Sequence, residues 1–169
     1  MLQENKLQGE FYDACKSGDI KAVELLLARG ADINQAGFCG ATPLYMACQQ
    51  GHREVVELLL ARGADINQAD EYGFTPLLIA CANGHRTVVE LLLDRGAQIN
   101  QANRDGITPL VIACQRGQLA VVELLLARGA DINQAMQGGR APLYVAYQNG
   151  HIAVVELLLA RGALIDQAR

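Results

Sequence analysis

The sequence predicts an all-α solenoid: short helix-turn-helix pairs stacked in a row, with β-turn or hairpin loops projecting along one edge. Three observations predict it. The chain repeats every 33 residues, a spacing at which Gly18, Gly51, Gly84, Gly117 and Gly150 fall, as do all four prolines, Pro43, Pro76, Pro109 and Pro142. A period between about 20 and 50 residues marks a stacked array rather than a fold around one centre. Each period holds two apolar runs, each ended by a glycine able to adopt a left-handed conformation. Both runs are too short to stand alone, because isolated helices under ~12 residues are marginal in water. Their burial must come from neighbours in the row.

Taken in order, residues 1–6 read as a frayed leader. The first unit, 7–36, lacks the Thr-Pro-Leu start of the others, and Phe11-Tyr12-Asp13-Ala14-Cys15 stands in for that helix. Its polar flank, Gln3 to Gln8 with Glu10 and Lys16, suits a terminal repeat that meets water on one side. Units 37–69, 70–102 and 103–135 are internal. In the third, Thr75 is an N-cap and Pro76 fits the first helical position, where a missing N–H costs nothing. The apolar run from Leu77 to Cys81 forms the first helix, and Gly84 ends it. His85 and Arg86 begin the second helix, which carries Val88, Val89, Leu91, Leu92 and Leu93 and closes at Arg95 and Gly96. A cation there suits the helix dipole. The loop to Gly106 holds the turn residues Asn100, Asn103 and Asp105. The fifth unit, 136–169, departs twice. Ala141 replaces the capping Thr, and Ala163-Leu164-Ile165-Asp166 replaces Ala-Asp-Ile-Asn, so this unit is expected to fray first and to expose a leucine. No Pro- or Ser-rich linker interrupts the chain, so 1–169 reads as one domain.

Composition bounds the function. Apolar residues make up 51% of the chain, enough for a core running along its length. No apolar run approaches the ~18 residues of a membrane helix, so no membrane partner is expected. The net charge of −4 disfavours nucleic acid, which needs a clustered basic surface.

The residues that could carry chemistry are mostly periodic. Cys15, Cys48, Cys81 and Cys114 share one register, taken by Tyr147 in the fifth unit. Stacked helices lie about 8–10 Å apart, too far for a disulfide or for one zinc ion. They read as small apolar residues between first helices. Free thiols point to a reducing compartment, cytoplasmic or nuclear. Cys39 lies in a turn and is expected to be exposed. His52, His85 and His151 recur where Asp19 and Gln118 stand in other units, so they read as hydrogen-bonding groups at a helix start rather than metal ligands. Glu24, Glu57, Glu90, Glu123 and Glu156 form one charge ladder, and Arg29, Arg62, Arg95, Arg128 and Arg161 another, both read as a solvated face. No nucleophile–base pairing, phosphate loop or metal-binding spacing occurs. No catalytic residue, metal or cofactor is assigned.

The pattern Gly-x-Thr-Pro-Leu-x-x-Ala at 40–47, 73–80 and 106–113, then Gly-His at 51, 84 and 150, then Val-Val-Glu-Leu-Leu-Leu-x-x-Gly-Ala-x-Ile-Asn, resembles the ankyrin-repeat family from about residue 7 to 169. One departure is clear. The family's His after Thr-Pro-Leu is here Tyr45, Leu78, Val111 and Tyr144, so packing must replace its usual bond to the threonine. The resemblance implies a non-catalytic module that binds a protein or peptide, as a monomer. It also implies that turns and first helices line a concave groove. The positions that vary between units fall there. On the turns they are Phe38 and Cys39, then Glu71, Tyr72 and Phe74, then Arg104, Asp105 and Ile107, then Arg140. On the first helices they are Gln49 and Gln50, Asn83 and Arg116, with the row Met46, Ile79, Ile112 and Val145. That row reads either as an apolar stripe for the partner or as core between helices. Two other readings stay open: a scaffold segment of a longer array and an idealised designed scaffold, neither with a dedicated ligand. The resemblance further implies that Asn34, Asn67, Asn100 and Asn133 occupy the loop position where some members are hydroxylated.

Overall fold

Ten α-helices and one 3-10 turn make up the described part of the computed structural model, which covers the backbone of residues 2–165 and the side chains of 5–165. The expectations on Met1, on the side chains of Gln3 and Glu4, and on Asp166 lie outside these residues. The helices pair in sequence: α1 (Leu2–Ser17) with α2 (Ile20–Ala28), α3 (Pro43–Gln50) with α4 (Arg53–Ala61), α5 (Pro76–Ala82) with α6 (Arg86–Asp94), α7 (Pro109–Gln115) with α8 (Leu119–Ala127), and α9 (Pro142–Gln148) with α10 (Ile152–Ala160). First helices pack on first helices and second on second, giving two parallel layers. No strand occurs among the described residues. The predicted all-α solenoid of stacked pairs is the observed fold.

Local chemistry sets the helix ends as the sequence implies. Thr42, Thr75 and Thr108 accept hydrogen bonds from the N–H groups of Tyr45, Leu78 and Val111 at 3.1, 3.2 and 3.2 Å, each with proline at the first helical position. Ala141 offers no such bond. The core runs the length of the stack, with Phe11, Leu44, Leu77, Leu110 and Leu143 buried under the first layer and Val56, Val89, Val122 and Leu158 under the second. Cys15, Cys48, Cys81 and Cys114 are free and buried in this core. Burial pushes the thiols of Cys15 and Cys114 up to about 12 and raises those of Cys48 and Cys81 as well.

Three expectations are corrected. The leader is not frayed: α1 begins at Leu2, because no proline or capping residue stops the helix before Phe11. Gln8 is buried rather than part of a solvated flank, and its amide clasps the Asp32 backbone, accepting from its N–H at 3.0 Å and donating to its carbonyl at 2.9 Å. The histidines do not bond at their own helix starts. Nε2 of His52, His85 and His151 instead lies 2.9, 2.9 and 3.0 Å from the carbonyls of Lys16, Gln49 and Gln115 in the preceding pair. Gly18, Gly51 and Gly117 are open for this reason. At each, a Cβ would fall 2.5–2.6 Å from the Nδ1 of the histidine stacked above it.

The bonds between pairs share one direction. Backbone N–H groups of Asp65, Gln98, Asp131 and Leu164 donate to the side-chain oxygens of Asn34, Asn67, Asn100 and Asn133, one pair earlier, at 2.8–3.1 Å. Arg95 donates back to Glu57 at 3.2 Å, and Arg128 to Asp94 at 2.6 Å. The two charge ladders are thus cross-linked as well as solvated, although exposed pairs of this kind contribute little to stability. Among the described residues, every hydrogen bond between pairs has its donor in the later pair and its acceptor in the earlier one.

Candidate interaction surface

The four turns that lead into α3, α5, α7 and α9 are closed by the same bond. The N–H groups of Gly37, Asp70, Asn103 and Met136 donate to the carbonyls of Ala41, Phe74, Ile107 and Arg140 at 2.8–3.1 Å. Two turns are also anchored from inside. Asp70 Oδ1 accepts from the N–H groups of Tyr72 and Phe74, and Asn103 Oδ1 from those of Asp105 and Ile107. Where Gly37 and Met136 replace that anchor, the third turn residue is left-handed: Cys39 at φ 56° and Gly138 at φ 84°. Among the described residues, Cys39 is the one non-glycine residue in that region, a conformation costing roughly 1–2 kcal/mol. It is half-buried, not exposed as expected. Gly37 is forced by Tyr12, whose ring stands 2.8 Å from where a Cβ would lie and whose hydroxyl donates to the Gln35 carbonyl.

Adjacent turn tips are tied main chain to main chain. Glu71 N–H donates to the Cys39 carbonyl at 2.9 Å, Arg104 to Tyr72 at 3.2 Å, and Gln137 to Asp105 at 2.9 Å. The tips therefore form a continuous ribbon with few free backbone groups, and their side chains project from a rigid base. Phe38 is 92% exposed and Tyr72 59%. Glu71, Arg104, Asp105 and Arg140 are exposed, while Phe74 and Ile107 are half-buried against the core.

On the first helices, Gln50, Asn83 and Arg116 are exposed and Gln49, Met46 and Ile79 half-buried. Ile112 and Val145 are only 4% exposed, so these two belong to the packed interior. The row is split between the two readings it allowed: its first half is accessible and its second half is core. Asn83 is also partly committed, since its amide donates to the Gln49 carbonyl at 3.2 Å, which His85 also contacts.

The surface is asymmetric in chemistry. Aromatic side chains crowd the tips before α3 and α5. Arg104, Arg116 and Arg140 lie on the turns and helix end around α7 and α9, and among the described residues none has a carboxylate oxygen within 4.0 Å. On α3, beside the aromatic tips, Tyr45 is half-buried, and its phenol is pushed up to about 12 by burial and then by the Asp70 charge, so it stays a neutral donor.

A second surface lies at the far end of the stack. Leu143, Tyr144, Tyr147, Val155, Leu159 and Ile165 line a cleft of roughly 420 Å³. Sequence reasoning assigned it no role, although Tyr147 in the cysteine register and Leu164 in place of Asp were its signals.

A family model described as ankyrin repeats (3 copies) matches residues 11–103 and again residues 96–169. No curated protein matches the chain.

Proposed function

The chain belongs to the ankyrin-repeat family, whose arrays are generally protein–protein interaction modules, and from that premise we propose that it binds a protein or peptide partner along the face formed by its turn tips and first-helix ends. The observation that carries this reading is the exposure of Phe38 and Tyr72 on a hydrogen-bonded ribbon. Large aromatic side chains on a preformed base are what interaction hot spots use. Such a base also limits the ordering cost of association. Residues 7–169 act as one array. The partner places apolar or aromatic groups against Phe38, Tyr72 and Phe74, and acidic groups against Arg104, Arg116 and Arg140.

The test is capture from cell extract with the wild type, with Phe38→Ala/Tyr72→Ala, and with Arg116→Glu/Arg140→Glu, each checked for native helicity by circular dichroism. The reading expects a partner that the wild type retains and both folded variants lose. A partner held equally by all three places the binding surface elsewhere.

A further inference from the structure

One register position on the first helices holds Tyr12, Tyr45, Leu78 and Val111, and the residue that opens the following turn is Gly37, Asp70, Asn103 and Met136. At the first junction the two positions meet. The Tyr12 ring stands 2.8 Å from where a Gly37 Cβ would lie, and its hydroxyl donates to the Gln35 carbonyl. At the second, the Tyr45 phenol is close enough to Asp70 to feel its charge. At the fourth, Val111 and Met136 are both apolar. The third is mixed. Leu78, at 0% exposure, stands by register against Asn103, which is polar and only 7% exposed.

The mismatch leaves two polar groups over. Asn103 Oδ1 accepts from the N–H groups of Asp105 and Ile107 at 3.0 and 2.9 Å, which fixes the orientation of the amide and turns Nδ2 away from the turn. That Nδ2 and the Oε1 of Gln101, two residues before it, are buried and without a hydrogen-bond partner. Among the described residues they are the only two buried side-chain polar atoms in that condition. Such groups are rare in native proteins and point to a small ligand that completes them. Their chemistry narrows its class. The amide N–H repels a cation, and the amide oxygen repels an anion. A neutral molecule that both donates and accepts satisfies the two together. A tyrosine hydroxyl has that character, but Leu78 is shorter than tyrosine and carries none.

We propose that the third junction binds one ordered water molecule, which donates to Gln101 Oε1 and accepts from Asn103 Nδ2 at the place that a tyrosine hydroxyl takes, by register, at the earlier junctions. Buried waters that bridge otherwise unpaired polar groups are structural components and costly to remove. This one ties the loop that ends the third pair to the turn that carries Arg104, which the Asn103 N–H closes on the Ile107 carbonyl at 3.0 Å. It does not depend on where a partner binds.

The experiment is a high-resolution crystal structure of the full chain and of Leu78→Tyr and Gln101→Met, with urea denaturation of Leu78→Tyr and Leu78→Phe. In the wild type a water oxygen is expected about 2.7–3.2 Å from both Gln101 Oε1 and Asn103 Nδ2. In Leu78→Tyr the phenol oxygen takes its place, and in Gln101→Met the water is lost. The unfolding equilibrium constant of Leu78→Tyr should lie about fivefold below that of Leu78→Phe, which brings the ring without the hydroxyl. A wild type with no water between the two atoms overturns the proposal, as does a direct hydrogen bond from Asn103 Nδ2 to Gln101 Oε1. Equal stability of the tyrosine and phenylalanine variants also counts against it. If tyrosine is too large for the position and the variant fails to fold, the wild type and Gln101→Met decide.

Discussion

Restoring the missing cap in the last pair should stabilise that pair and little else. Thr42, Thr75 and Thr108 are at most 2% exposed, as is Ala141, so the pocket that takes a threonine three times is present a fourth time. In the wild type the Tyr144 N–H, the counterpart of those that the threonines accept, has no cap partner. An Ala-to-Thr change at an N-cap contributes roughly 0.5–2 kcal/mol, typically about 1. Because the stack is nearly one-dimensional, an end pair opens without the others. The gain in Ala141→Thr should therefore appear locally, as amide exchange in α9 and α10 slowed about fivefold per kcal/mol, with α3 to α6 unchanged. Ala141→Val supplies the same branching without the hydroxyl. If valine slows exchange as much as threonine does, the effect is packing and the capping argument is wrong. If neither changes α9, the end pair is not limited by its cap.

Three other perturbations probe the glycine platform, the strained turn and the buried thiols. Gly51→Ala and Gly63→Ala both place alanine in left-handed backbone, at φ 77° and 91°, but only the first drives a Cβ into His85. Urea denaturation should show both destabilised by about 1 kcal/mol, with Gly51→Ala losing about 1 more for the displaced hydrogen bond; equal losses would count against the glycine platform. Cys39→Gly should stabilise the chain by about 1 kcal/mol by relieving the left-handed cysteine, and a destabilised variant would show that the thiol's packing outweighs its backbone. For pH, the four core thiols hold their protons in the folded state up to about 12 or beyond, whereas the unfolded chain releases them from about 9. The folded values are raised, so this contribution is fully present below pH 9 and declines through the window between the two values. The urea midpoint should be flat in the neutral range and fall above pH 9, and replacing the four cysteines with alanine should flatten that fall.

The stack was legible because its signals are local and repeated. Thr75, Pro76 and Gly84 act within one helix, and a 33-residue period carries the inference to every copy. What the sequence hid depends on the neighbour. The bond from His85 reaches the Gln49 carbonyl 36 residues back, so a reading of one unit assigns it to the wrong helix start. Ile79 and Ile112 hold the same register and the same side chain, yet one is half-buried and the other 4% exposed. Accessibility there is set by the variable residues of adjoining pairs, not by the period. The extension of α1 was hidden for another reason. Leu2 to Lys6 lies before the first unit and has no repeat counterpart, and the helix is tied down only where Leu7 packs on the core and Gln8 clasps Asp32. The turn tips were identified as variable positions, but their tie into one ribbon is a backbone property that side-chain patterns do not carry.

The uniform direction of the bonds between pairs has a consequence for biosynthesis. A nascent chain is released amino end first, at about 5–20 residues per second, so one 33-residue period takes roughly two to seven seconds to emerge. Helical segments settle in microseconds. Among the described residues, the pair already outside the ribosome holds the acceptors that its successor will need, and the newcomer brings the donors. The opening pair needs no predecessor, since Gln8 occupies the Asp32 backbone on its behalf. Each finished pair is thus a template awaiting the next, and assembly can keep step with translation.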